Sequence, residues 1–270
     1  MVTLFADAAL ARRLELNKST AAVEYARAQE RLRPGTTAVL PIAGGNAVFV
    51  GTTSPISRVM GLGMQEPLTA GDLDTVEEFF RDHGLAPRLE LCPLADRSVH
   101  LLTGDRRYRI DHFRNVMVRP LSPGEILPEV ASGASINRVH TPEEKQEWLF
   151  TIARGFLEKD DVVPEETWIS QPMTQVPAVS CYIARLGDEP VGGGAMAIRG
   201  GLAYLSSTSV LPAYRGRGMQ SALLWVRLND AIEAGCDMVM VETAPGSPSQ
   251  RNLERFGFCV AYTTMAVVRD

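Results

Sequence analysis

Apolar and polar positions along the chain switch repeatedly between a two-residue and a helical period, which marks a mixed α/β protein. Leu4, Phe5, Leu10, Leu14 and Val23 among alanines and charges predict a helix over residues 3–32, ended by Pro34-Gly35. Two short strands follow within Thr37–Gly51, turned at Ala43-Gly44-Gly45-Asn46, then a strand over Ser57–Gly61. Leu73–His83 reads as an amphipathic helix stopped by Gly84, Arg88–Cys92 as a strand, Asp96–Thr103 as a short helix, and Tyr108–Arg119 as a long strand. The second half resumes with a strand at Ile136–Val139. Thr141-Pro142-Glu143-Glu144 is a capping box with proline at the first helical position, and it opens a helix to about Leu157. A further helical piece follows Pro164. Val179–Leu186 and Val191–Ile198 predict a hairpin around Gly187–Pro190, and Gly200-Gly201 turns into the strand Leu202–Val210. A helix over Met219–Ala234, a buried strand Asp237–Glu242, a short helix near Ser247–Phe256 and a strand Phe258–Arg269 complete the chain.

The halves superimpose in sequence at a constant offset of 150 residues. Tyr108 falls on Phe258, Ile110 on Val260, Met117 on Val267 and Arg119 on Arg269, with Leu73/Leu223 and Leu89/Val239 further back. Similarity at a fixed period is the mark of a duplicated unit. The Pro, Gly and Ser content of residues 121–134 reads as a linker, giving expected domains of 1–120 and 135–270.

The stretch that carries chemistry is Ser209-Val210-Leu211-Pro212-Ala213-Tyr214-Arg215-Gly216-Arg217-Gly218-Met219-Gln220, placed between a strand and a helix start. Glycines let backbone approach an anion closely, and the unbonded N–H groups of a first helical turn favour negative charge. A plain turn with solvated arginines is the alternative. The string Val-Leu-Pro-Ala-Tyr-Arg-Gly-Arg-Gly-Met ahead of an amphipathic helix strongly resembles the acetyl-CoA signature of the GNAT acetyltransferase superfamily, Arg/Gln-x-x-Gly-x-Gly/Ala. Arg215, Gly216, Arg217 and Gly218 fit it, and Gln220 stands where a small residue is usual.

The resemblance implies two GNAT-like domains, each a mostly antiparallel central sheet flanked by helices. It implies acetyl-CoA as co-substrate, lying in a V-shaped gap between the strand Leu202–Val210 and the strand Asp237–Glu242. Backbone at Ser209, Val210 and Leu211 would meet the pantetheine and polarise the thioester. Amides of Gly216, Arg217, Gly218, Met219 and Gln220 would hold the pyrophosphate, with Arg215 or Arg217 adding charge. Asn252 would touch the cofactor. Ser209 and Glu242 are the catalytic candidates, Glu242 as base at a strand end, for which a solvent-facing rim residue is the alternative. Many members carry a tyrosine four residues before a Gly-Phe pair as general acid. Here that position, counted from Gly257-Phe258, is Leu253. Water, or Tyr182, Tyr204 or Tyr262, would then protonate the thiolate, or the domain binds CoA with little turnover. Under the 150-residue offset the loop falls on Gln65-Glu66-Pro67-Leu68-Thr69-Ala70, which lacks glycine and arginine, so the first half reads as a degenerate copy without a CoA site.

Composition narrows the partners. A net charge of −5 and a pI near 5.5 argue against nucleic acid or an anionic membrane, which leaves the loop arginines as a local positive spot. Cys92, Cys181, Cys236 and Cys259, and the four histidines, are scattered without ligand spacing, so no metal is expected. With no export pattern in Met1–Leu10, the thiols read as reduced in a cytoplasm. The expected activity is acetyl transfer to the amine of a small molecule or peptide. A CoA-binding sensor or interaction module is the rival, and a homodimer is compatible with either.

Overall fold

The computed structural model describes residues 5–125 and 133–269. In chain order the elements are α1 (Ala8–Leu32), β1 (Ala38–Ile42), β2 (Gly45–Phe49), β3 (Arg58–Met60), α2 (Ala70–Asp82), β4 (Arg88–Leu91), α3 (Arg97–Asp105), β5 (Arg109–Pro120), β6 (Ser135–Arg138), α4 (Pro142–Leu157), β7 (Val179–Leu186), β8 (Glu189–Arg199), β9 (Leu202–Val210), α5 (Met219–Glu233), β10 (Met238–Thr243), α6 (Pro248–Arg255) and β11 (Cys259–Val268). Helix α1 starts later than the apolar pattern suggested, because Asp7 caps it by accepting from the Leu10 amide at 2.8 Å. The capping box at α4 forms as predicted: Thr141 Oγ1 accepts from the Glu144 amide at 3.2 Å, and Glu144 accepts from the Thr141 amide at 3.0 Å. Short 3-10 turns at Pro164–Thr167 and Gln171–Gln175 lie between α4 and β7.

The 150-residue offset survives in the elements themselves. Strand β4 begins at 88 and β10 at 238, β5 at 109 and β11 at 259, and α3 at 97 and α6 at 248, one residue off. Each half places a parallel strand pair around a helix: β3 with β4 around α2, and β9 with β10 around α5. The other recorded pairings, β1/β2, β2/β3, β4/β11, β6/β7, β7/β8 and β8/β9, are antiparallel.

Packing groups the chain into two compact units: residues up to Met117 together with those from Thr243 on, and Val118–Glu242. This division differs from the sequence boundaries of 1–120 and 135–270. The terminal segment joins the first unit because β11 finds its antiparallel partner in β4, from Met265↔Leu91 to Val268↔Arg88. Of the expected linker 121–134, residues 126–132 lie outside the described residues.

In the first unit the strands run β1-β2-β3-β4-β11-β5. Its core joins Leu73, Val76 and Phe80 of α2 to Leu89 and Leu91 of β4 and Val267 of β11. The parallel pair is tied by charge. Arg58 of β3 meets Glu90 of β4 at 3.2 Å, Lys18 of α1 pairs with Glu90 and with Glu15, and Tyr262 donates to Glu15 at 2.8 Å. Acids and bases balance here, as buried charge requires. In the second unit the order is β10-β9-β8-β7-β6. Trp148, Leu149 and Ile152 of α4 pack on Cys181 and Ile183 of β7 and Ala195 of β8.

Candidate active site

The site begins where two parallel strands part. Strand β10 accompanies β9 from Met238↔Leu202 only to Val241↔Leu205, while β9 runs on to Val210. A strand edge without a continuing partner leaves backbone groups facing an open gap. The Leu211 amide donates to Val191 O of β8 at 2.9 Å. By strand alternation the amide and carbonyl of Ser209 also face β8, and those of Val210 face the gap. The Ser209 side chain is buried against Gly155 of α4, where an added Cβ would stand 1.9 Å from its Oγ. Ser209 therefore offers the gap neither its hydroxyl nor its amide; the amide that faces the gap belongs to Val210.

Strand β9 is irregular just upstream. Gly193 pairs with Ser209 but Ala195 pairs with Ser206, so Ser207 and Thr208 together oppose Gly194. This is a β-bulge, and Ser207 takes φ +49° in it, a left-handed conformation costing a serine about 1 kcal/mol or more. Ser207 Oγ approaches Met173 Sδ at 3.1 Å.

The loop after β9 divides its two arginines. Arg215 is a strut: Nε donates to Val210 O at 3.1 Å, Nη2 to Gly155 O at 3.1 Å, and Nη1 pairs with Glu158 at 2.6 Å. Three of its donors tie the loop to the end of β9 and to the end of α4. Arg217 is exposed and lies 5.3 Å over the Tyr214 ring. The Tyr214 hydroxyl donates to Glu189 at 2.6 Å, and that carboxylate raises its pKa. Glu189, at the start of β8, thus also steadies the loop. Gly216 and Gly218 take φ +76° and +81°, conformations that other residues reach only with strain. Gly218 is the N-cap of α5, no side chain caps that turn, and no acid lies in it. Met219 is buried, so its backbone alone faces outward, and Gln220 is exposed.

These features fit a diphosphate: backbone donors at an acid-free helix start, left-handed glycines and one cation without a carboxylate partner among the described residues. The equivalent turn of the first unit has spent its donors. Thr69 and Asp72 form a capping box, with Thr69 Oγ1 accepting from the Asp72 amide at 3.1 Å and Asp72 from the Thr69 amide at 2.8 Å. The Leu68 amide donates to Ser98 at 2.8 Å, and Pro67 has no amide hydrogen.

Glu242 stands where β10 leaves β9, half-buried, and its Oε2 accepts from the Tyr204 hydroxyl at 2.6 Å. Of the three candidate tyrosines, only Tyr204 lies on the gap strand. Tyr182 is committed to Asp230 at 2.7 Å, its pKa raised by burial and by that carboxylate. Tyr262 is in the first unit on Glu15, its pKa raised by burial and the neighbouring charge. Asn252 is half-buried and Leu253 buried on α6, in the first unit. Trp148 is core, with Nε1 donating to Gly194 O at 3.2 Å, while Trp168 is half-buried.

Two features escaped the sequence reading. Arg227 is buried on α5, and the only signal was a charge within the apolar stripe of Leu223, Leu224, Leu228 and Ala231. The Tyr204–Glu242 pair needed the parallel register of β9 and β10, which places Tyr204 opposite Met240, two residues before Glu242. Among the described residues no group of His, Cys, Asp or Glu could hold a metal ion, and no helix is long and apolar enough to cross a membrane.

Comparison with known proteins agrees with this architecture. Residues 144–258 match the Acetyltransferase (GNAT) family. A GCN5-related N-acetyltransferase from Kribbella flavida shares the fold with a TM-score of 0.65 at 19% identity, over 92% of this chain and 94% of its own. A tandem GNAT protein from the clavulanic acid biosynthesis pathway gives 0.63 at 15% identity, over 98% and 96% of the two chains. A GCN5-related N-acetyltransferase from Sphaerobacter thermophilus gives 0.58 at 19% identity, over 86% and 75%. No curated protein matches. The chain has the tandem GNAT fold, and its residues 144–258 are similar to the GNAT acetyltransferase family.

Proposed function

We propose that the second unit transfers an acetyl group from acetyl-CoA to an amine of a small molecule or peptide, by direct attack in a ternary complex. The observation that carries this is the acid-free, uncapped start of α5, with Gly216 and Gly218 at positive φ, beside the gap where β10 leaves β9. Amides of Gly216, Arg217, Gly218, Met219 and Gln220 hold the pyrophosphate, and Arg217 adds charge. Arg215 holds the loop in place. Pantetheine lies along Val210 and Leu211, with Ser209 supporting the strand from behind.

The amine nitrogen attacks the thioester carbon, and the Val210 amide faces the oxygen as it becomes anionic. Such a donor contributes about 3 kcal/mol to lowering the barrier. The C–S bond then breaks and CoA leaves as thiolate. The amine proton passes to Glu242, directly or through water, and Tyr204, whose hydroxyl meets Glu242 at 2.6 Å, returns one to the thiolate. Holding amine and thioester together supplies much of the remaining acceleration.

A rival reading, CoA binding with little turnover, is favoured by Leu253, which is buried where family members carry a tyrosine acid. Thiol release from acetyl-CoA across a panel of amines separates the two. Amine-dependent release above the hydrolytic background is expected. Tight CoA binding with no release for any amine would overturn the enzyme reading.

A further inference from the structure

A charged group lies behind the open edge of β9. Arg227 is 1% exposed, on the face of α5 that meets the sheet. Its Nε donates to Leu223 O at 2.9 Å, and its Nη1 to Ala195 O at 3.2 Å and to Thr208 Oγ1 at 2.9 Å. Among the described residues no carboxylate pairs with it. Burial lowers its pKa to about 10, so it remains a cation at neutral pH. A buried charge without a counter-charge costs stability, and an apolar residue of similar volume usually serves packing better. Packing alone therefore does not account for it.

Its position does. The guanidinium lies on Gly194, where an added Cβ would stand 2.7 Å from Nη1 and 2.9 Å from Cζ. Gly194 is the residue that the β8/β9 register skips, opposite Ser207 and Thr208. Trp148 Nε1 of α4 holds the Gly194 carbonyl. At Gly193 an added Cβ would meet Trp148, and at Gly194 it would meet Arg227, so alternation puts these two on opposite faces of the strand. The bulge is thus clamped from both sides, with Arg227 reaching the gap strand through the Thr208 hydroxyl. A left-handed serine persists only where its surroundings over-determine it, and this clamp does so.

We propose that Arg227, acting through Thr208, is a positioning residue for acyl transfer: it locks the Ser207–Thr208 bulge so that the Val210 amide stays aimed into the gap. The inference rests on the acyl-transfer reading above. It accounts for a glycine at 194, a hydroxyl at 208 and a buried cation at 227 as one device.

The test uses the full chain with Thr208→Val, which removes the hydroxyl at nearly constant volume, and Arg227→Lys, which keeps the charge but loses the fork. Each should lower kcat for amine-dependent thiol release roughly ten- to a hundredfold, as a displaced catalytic amide would. The CoA dissociation constant should stay within about threefold, and the double variant should lose no more than the worse single one. Without substrate, amide hydrogen exchange at Ser209 and Leu211, which face β8, should speed up at least about tenfold in both. An unchanged kcat in Thr208→Val, or a loss of CoA affinity equal to the loss of rate, overturns the role. Should Arg227→Lys fail to fold, Thr208→Val carries the test. If the parent releases no thiol with any amine, the acyl-transfer reading fails. Exchange then decides the clamp, and unaltered exchange refutes it.

Discussion

Arg217→Glu is expected to raise the CoA dissociation constant at least about 100-fold while the melting temperature stays within about 2 °C. The guanidinium is exposed, rests on the Tyr214 ring at 5.3 Å and pairs with no carboxylate among the described residues. Its loss therefore leaves no buried group unsatisfied, and folding should barely respond. The ligand responds strongly because the change is double: a cation is removed from the diphosphate, and an anion is placed beside the first turn of α5. Charge-assisted contacts of this kind contribute about 1.5–3 kcal/mol each, and about 3 kcal/mol is a hundredfold in affinity. Arg215 should behave differently. Two of its bonds reach the end of α4 at Gly155 and Glu158 and the third holds Val210 O, so its loss would act on loop order as much as on affinity. Calorimetric titration of CoA into the parent and into Arg217→Glu reads the difference. Equal affinities would remove the pyrophosphate from this loop.

Glu242→Gln is expected to lower kcat by roughly a hundredfold or more, the usual contribution of a positioned general base, with CoA affinity unchanged. Glutamine keeps an oxygen to accept from Tyr204 and nearly keeps the volume, so the 2.6 Å bond has a substitute. What it cannot do is take a proton. Tyr204→Phe should cost less in rate, since water can protonate the leaving thiolate. Steady-state kinetics with a saturating amine separates kcat from KM. An unaltered kcat in Glu242→Gln would make the residue a rim carboxylate and leave deprotonation to solvent.

Much of the fold was legible because its signals are local. The apolar and hydroxyl-rich run of Leu202–Val210, the capping box at Thr141 and Glu144 and the apolar stripe of α5 each lie within one element. The duplication was legible because both copies keep their spacing, so β4 and β10 begin 150 residues apart. The glycine-arginine loop was legible for the same reason: its glycines and arginines are consecutive.

Contacts between distant segments were not legible. Spacing alone could not say which arginine faces an anion, because the partners that take Arg215, Gly155 and Glu158, lie far upstream. Nor could it give the bulge, which depends on the register of β9 against β8, or the burial of Arg227 against Gly194. The terminal strand is the same kind of case. Sequence continuity assigned 243–270 to the second domain, but a strand joins whichever edge offers hydrogen bonds, and β11 pairs with β4. In the first copy the degenerate loop was visible as missing glycines. The Arg58–Glu90 tie between its parallel strands appears only in three dimensions.

A crystal structure of the chain grown with CoA should show one CoA per chain, its pyrophosphate against the amides of residues 216–220 and its pantetheine in the gap beyond the Val241↔Leu205 pair. Residues 65–70 should carry none. A pyrophosphate bound anywhere else, or density at 65–70, would contradict this placement.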